Sequence, residues 1–258
     1  MQDWALILGC SSGFGAATCK ELVRQGINIY GIHLDRKSSM QEVETLKDEL
    51  QKFNVEVIFN NMSAVDAEKR QVVINELKTK NNIRVKIFMH SLAFGALLPI
   101  IGSQNSKALQ QRQVEMTLDV MASSLIFWTQ DLYSANLLKS GSHIFAMTSS
   151  GGHRQWPSYG AVSAAKAALE SYCRQLALEL SANEISVNSI QAGVTDTPAL
   201  RKIPGNEQMI INASNINPGK RLTQPDDIAK YIALIGLNNN TWLTGNTIRI
   251  DGGEDITG

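Results

Sequence analysis

The sequence predicts an α/β fold: one domain over residues 1–258, built on a doubly wound parallel sheet with helices on both faces. Three observations carry this. Short apolar runs alternate with stretches of helical periodicity along the chain. A glycine-rich turn, Gly9-Cys10-Ser11-Ser12-Gly13-Phe14-Gly15, joins the first apolar run to the first helical stretch. A chain of 258 residues with 43% apolar composition is long enough to bury a large core, and one domain is the expectation.

Composition excludes several classes of partner. Lysine plus arginine total 24, as do aspartate plus glutamate, and no basic block stands out, so neither nucleic acid nor an anionic membrane is an expected partner. The three cysteines, Cys10, Cys19 and Cys173, lack metal-ligand spacing. An odd count of this kind suits a reducing compartment, so a cytoplasmic, unexported protein without bound metal is expected. No apolar run approaches the length of a membrane span, and no leader sequence is read.

In chain order, Trp4 to Leu8 reads as the first strand and Phe14 to Gln25 as the first helix, capped by Gly26. Glycines at 9, 13 and 15 let the backbone turn tightly and leave the positive end of the helix open to a pyrophosphate. A second strand, Ile27 to Leu34, ends in His33-Leu34-Asp35-Arg36-Lys37. An acid here would pair with a free ribose 2′-hydroxyl, and Arg36 and Lys37 with a 2′-phosphate, and both kinds of residue are present. A helix over Gln41 to Phe53, a strand over Val55 to Phe59, a helix over Ala67 to Lys80 and a strand over Val85 to Met89 follow. Gly95 to Ser106, interrupted by Pro99 and glycines, reads as a candidate substrate loop. Gln111 to Leu138 reads as one long amphipathic helix carrying Asp119 as helix-supporting polarity.

Ser142 to Thr148 is the next strand, leading to Ser149-Ser150-Gly151-Gly152 at its crevice end. The helical run Ser158 to Glu170 then holds Tyr159 and Lys166, seven residues apart. At about 100° and 1.5 Å per residue, both side chains leave one face roughly 10 Å apart in height. Alone, this fits an alanine-rich packing helix with a snorkelling lysine as well as it fits a reactive pair. After a strand over Ile185 to Ile190, Ala199 to Lys220 reads as a flap over the crevice, inside a flap region of about residues 195–220. Pro225 begins another helix, with Asp226 and Asp227 favourable at its N-terminus, and Thr247 onward forms the last strand before Gly252-Gly253.

Taken together, the GxxxGxG spacing, Ser149 seventeen residues before Lys166, and the terminal GG resemble the short-chain dehydrogenase/reductase family, whose fold is Rossmann-like. Three features narrow the resemblance to its enoyl-acyl-carrier-protein reductase branch. His90-Ser91-Leu92-Ala93-Phe94 is similar to that branch's HS(I/L)AF, and Gln191-Ala192-Gly193-Val194-Thr195-Asp196-Thr197 is similar to its AGPIRT. Tyr159 lies seven residues before Lys166, whereas ketoreductases place tyrosine four before it, where this chain has Val162. Ser149 stands where most enoyl reductases carry a second tyrosine, which resembles a minor NADPH-using type.

The resemblance implies catalytic roles for Tyr159, Lys166 and Ser149. It implies a cofactor site made of Gly9, Ser11, Ser12, Gly13, Phe14 and Gly15 around the pyrophosphate and Arg36 and Lys37 at the adenosine ribose. Asn61 and Met62 would lie against adenine, Ser91, Leu92 and Ala93 along the crevice, and Lys166, Gly193, Val194 and Thr197 at the nicotinamide end. His90 is kept out of the chemistry. The implied activity is hydride transfer from NADPH, or alternatively NADH, to an enoyl thioester of acyl carrier protein or CoA in fatty-acid or polyketide synthesis, by a homotetramer or homodimer. A carbonyl reductase of the same fold and a non-catalytic nucleotide-binding member are the alternatives.

Overall fold

Residues 1–104 and 106–257 are described by a computed structural model; Asn105, inside the loop Gly95–Ser106, and Gly258 lie outside the described residues. The first strand, β1 (Gln2–Leu8), sits near the middle of a seven-stranded sheet. On one side it pairs with β2 (Asn28–His33), which pairs with β3 (Val57–Asn61). On the other side β4 (Ile83–His90), β5 (His143–Ser149), β6 (Ser186–Ala192) and β7 (Thr247–Ile250) follow in order. Every pairing is parallel. The winding therefore reverses between β1 and β4, and a ligand crevice in such a sheet opens there, beyond the strand C-termini.

The alternation of side chains along β1 divides the core in two. Trp4, Leu6 and Leu8 pack with Trp128, Leu125, Val162 and Leu169 on one face. Ala5 and Ile7 pack with Leu22, Ile228 and Ile232 on the other. The first face is covered by α3 (Ala67–Thr79), α4 (Gln111–Leu118), α5 (Ser124–Ser134) and α6 (Gly160–Leu180). The second is covered by α1 (Gly13–Arg24), α2 (Met40–Gln51) and α8 (Pro225–Gly236). The fold is the expected single Rossmann-like domain.

Two elements differ from the expectation. The long helix read over 111–138 is α4 and α5 joined by a π turn at Asp119–Ser123, and it ends at Ser134, followed by left-handed Asn136 at φ 55°. The extra residue of a π turn shifts the helix face without erasing its periodicity. The segment 199–220, rich in Asn and Gly, is helical over α7 (Asn206–Ile216), which starts from left-handed Gly205. No helix among the described residues is long and apolar enough to cross a membrane.

Candidate active site

The floor of the crevice is the turn between β1 and α1. Gly9 has φ 85°, and a Cβ there would fall 2.3 Å from the Ser91 carbonyl oxygen. A Cβ on Gly15 would fall 2.0 Å from the Gly9 oxygen. Only glycine allows this packing of turn, helix and β4 exit. Ser12, at the N-cap of α1, gives no side-chain cap, so the positive field of the helix end is not quenched by its own sequence. Ser91 is held at the switch point by its N–H, which donates to the Leu8 carbonyl at 2.9 Å. Gly13, at φ 51°, faces Thr197, whose Cγ2 lies 3.5 Å from the position of a Cβ. The two glycine-turn and β6-exit motifs, nearly two hundred residues apart in sequence, thus meet.

At the exit of β2 the acidic and basic residues separate. The Asp35 carboxylate lies 2.9 Å from His33 Nδ1, and its main chain is braced by the Asn61 amide at 3.0 Å and 3.1 Å. Arg36 and Lys37 project into solvent. Asn61 is therefore committed to the β2 exit, and Met62 is buried in the core.

The other wall carries the reactive groups. Ser149 ends β5, and the chain returns through Ser158, a left-handed residue at φ 62°, to Tyr159 at the N-cap of α6. This reversal lays the Tyr159 ring against Gly151, where a Cβ would fall 2.5 Å from Cε1. The Ser149 hydroxyl is buried without a hydrogen-bond partner of its own. It stands close enough to Tyr159 to draw the phenol's pKa down, while burial, the larger effect, raises it.

Lys166 is buried two turns further along α6, and its Nζ donates to the Met147 carbonyl at 2.6 Å. Burial lowers its pKa to about 8, against the pull of Glu170. Glu170 in turn accepts from Thr148 Oγ1 at 2.6 Å. Val162, one turn before Lys166 on the same side of α6, is 4% exposed, and its Cγ2 packs toward Gly95 beside Thr117 and Met121. His90 is core as well: its Nε2 meets Ser124 Oγ at 2.8 Å, and burial lowers its pKa to about 3.

The entrance is apolar. Ile100, on the candidate substrate loop, lies over Gly160 next to Tyr159; its neighbour in the chain Ile101 is exposed, as is Phe94 just before the loop. Trp156 Nε1 donates to the Pro204 carbonyl at 3.1 Å, tying the loop before Tyr159 to the start of α7. Ser149, Tyr159 and Lys166 thus share one wall, with the glycine turn opposite.

One nicotinamide-end residue is already engaged: the Val194 N–H donates to the carboxylate of Glu254. Sequence reasoning missed Glu254 and the Thr148–Glu170 pair. Neither has a local signal, since their partners lie 60 and 22 residues away.

The family model described as enoyl-(acyl carrier protein) reductase matches residues 9–254. The chain is 27% identical over 238 residues to the NADH-dependent enoyl-acyl-carrier-protein reductase of Enterococcus faecalis, covering 92% of this chain and 90% of that one. It is 24% identical over 255 residues to an acetoacetyl-CoA reductase of Acinetobacter, covering 98% and 97%. A short-chain dehydrogenase of Burkholderia cenocepacia, solved with NADP, superposes with a TM-score of 0.82 at 20% identity, covering 98% of each chain. The first two relatives are an enoyl-acyl-carrier-protein reductase and an acetoacetyl-CoA reductase, and the nucleotides named with these proteins are NADH and NADP. The chain belongs to the enoyl-(acyl carrier protein) reductase family of short-chain dehydrogenases/reductases.

Proposed function

We propose that this protein reduces the carbon–carbon double bond of an enoyl thioester, with NADPH as the preferred reductant. The observation that carries this reading is the placement of the one phenol on the reactive wall. Tyr159 stands at the N-cap of α6 beside Ser149, while Val162, the ketoreductase position, is a core residue.

Two features fit a dinucleotide. The glycine turn leaves no room for a Cβ at Gly9 or Gly15, and the N-terminus of α1 lacks a side-chain cap. Gly9, Ser11, Ser12, Gly13, Phe14 and Gly15 would hold the pyrophosphate, Arg36 and Lys37 the 2′-phosphate, and Ser91, Leu92, Ala93, Lys166, Gly193 and Thr197 the nicotinamide ribonucleotide. When bound, the reduced nicotinamide supplies the hydride.

The chain's own residues set where charge and protons go. In a conjugated thioester the accepting carbon is two bonds from the carbonyl carbon, so negative charge grows on an oxygen remote from the reacting atom. Tyr159 O–H donates to that oxygen, stabilising the enolate and supplying a proton path. Burial raises the Tyr159 pKa, which keeps the proton on the phenol until charge develops. Ser149 supports the phenol as a neighbouring hydroxyl. Lys166, positive and pinned to Met147, orients the ribose. The apolar entrance of Phe94, Ile100 and Ile101 fits an acyl chain delivered on acyl carrier protein or CoA. By family likeness the protein works as a homotetramer or homodimer in fatty-acid or polyketide synthesis.

The test compares oxidation of NADPH with crotonyl and acetoacetyl thioesters. Turnover of the crotonyl substrate that falls about 10²–10⁴-fold in Tyr159→Phe supports the reading. Turnover of the acetoacetyl substrate alone identifies a carbonyl reductase instead, and binding of NADPH without turnover of either identifies a nucleotide-binding protein.

A further inference from the structure

At the exit of β6, the Val194 N–H donates to both carboxylate oxygens of Glu254, at 3.0 Å and 3.1 Å. Glu254 is 7% exposed and follows two left-handed glycines, Gly252 and Gly253, at φ 65° and 84°. Its carboxylate packs against Gly193, where a Cβ would fall 3.0 Å from Oε2. Any side chain at 193 therefore conflicts with this contact.

The turn that carries Glu254 is fixed from its other side. Asp251 accepts the N–H groups of Gly253 at 2.9 Å and Asp255 at 3.0 Å, and its carbonyl accepts from Asn217 Nδ2 at 2.8 Å. The Asp255 carboxylate, 4% exposed, pairs with Arg154 at 2.9 Å, His153 at 3.1 Å and Arg249 at 3.3 Å. The backbone at 251–255 is thus anchored, and only the Glu254 side chain can yield.

We infer that Glu254 is a built-in competitor for the nicotinamide end of the cofactor, its carboxylate occupying the Val194 N–H that the carboxamide oxygen would take. This rests on the cofactor reading of Val194. One N–H serves one strong acceptor, and an ionised carboxylate accepts roughly twice as strongly as a neutral amide oxygen. The carboxamide gains Val194 only by displacing the carboxylate. Burial also favours displacement, because it disfavours the ionised form of Glu254 more than the Val194 N–H and Asn217 restore it. The cost falls on the nicotinamide end alone, leaving the pyrophosphate turn and the ribose rim untouched.

The inference is tested by titrating the full chain with NADPH and with 2′-phospho-ADP-ribose, the same nucleotide without nicotinamide. NADH and ADP-ribose are run in parallel as the unphosphorylated pair. In Glu254→Ala, Kd for the intact cofactor is expected to fall about three- to tenfold, with the nicotinamide-free fragment unchanged within twofold. Glu254→Gln keeps shape and removes charge, and it is expected to tighten the intact cofactor by a smaller factor in the same direction, which decides the matter if the alanine variant does not fold. An unchanged or weakened Kd for the intact cofactor overturns the inference while leaving the cofactor reading standing. So does an equal change for cofactor and fragment, which marks a general effect on the site. Failure of the unaltered protein to bind any of the four ligands overturns the cofactor reading and this inference with it.

Discussion

The Lys166 ammonium donates to the Met147 carbonyl at 2.6 Å, spanning from the second turn of α6 to the penultimate stretch of β5. This bond anchors a buried cation to the β5 main chain two residues before Ser149. Burial lowers the Lys166 pKa from 10.5 to about 8. The unfolded chain therefore binds more protons between those values, so this group makes the protein more stable as pH rises through the window. Activity runs the other way. The rate kcat/KM for the reduced nucleotide, which reports the free enzyme, is expected to fall above about pH 8 as the ammonium loses its charge. Lys166→Met is expected to abolish turnover while raising stability at pH 7 by about 1–2 kcal/mol, the desolvation relieved less the hydrogen bond lost. Denaturant unfolding beside steady-state kinetics measures both; a destabilised Lys166→Met protein contradicts the desolvation argument.

The proposed preference for NADPH is argued from the β2 exit. Asp35 is turned toward His33 and braced by Asn61, and Arg36 and Lys37 remain exposed. Arg36→Ala with Lys37→Ala is expected to raise KM for NADPH about tenfold or more and to leave KM for NADH within about twofold, since two charge-assisted contacts to a 2′-phosphate are lost. An equal rise for both nucleotides contradicts the assignment.

The glycine turn, and the positions of Ser149 at the end of β5 and of Tyr159 and Lys166 on α6, were legible in the sequence because each lies within one strand–turn–helix unit; the roles given to them rest on resemblance. Val162 was legible as a departure for the same reason, and its burial in the core follows from its place on α6. Contacts between distant segments were not. The Glu254–Val194 clamp joins residues 60 apart, and His33–Asp35 reads as an ordinary pair of neighbours until Asn61 is seen to brace it. The helix α7 was hidden by its composition: asparagine, proline and glycine around it signal irregular chain, yet Ala213 is buried and fixes it to the body.

Acid is expected to destabilise the fold through two buried histidines. His90 and His143 have pKa values lowered from 6.5 to about 3 and about 4, in both cases chiefly by burial. Above 6.5 they are neutral folded or unfolded; below it the unfolded chain takes up protons that the native state refuses. Each therefore removes stability as pH falls from about 6.5 toward its folded value, at about 1 kcal/mol per pH unit. His90→Leu is expected to shallow the fall of unfolding free energy between pH 6.5 and 4.5 by about that amount. Urea midpoints at several pH values measure it, and a slope identical to that of the unaltered protein contradicts neutral burial of His90.

The two ends of α1 separate a glycine required by packing from one required by backbone conformation. A Cβ on Gly15 meets main-chain atoms, the Gly9 oxygen at 2.0 Å and carbon at 2.8 Å, which cannot rotate away. Gly15→Ala must therefore push α1 off the β1 turn, at a cost of about 1–3 kcal/mol, and widen the cradle beneath the pyrophosphate. Gly26, at the other end, has φ 77° but nothing within 4 Å of a Cβ. Gly26→Ala pays only the left-handed backbone term, about 1–2 kcal/mol, and leaves the crevice unaltered. The two variants are thus expected to lose similar stability, while only Gly15→Ala loses nucleotide affinity, by about tenfold or more. Thermal melts paired with nucleotide titrations test this. Equal affinities in the two variants would mean that the turn tolerates the shift, and that the close approach of Gly9, Gly15 and Ser91 serves packing alone.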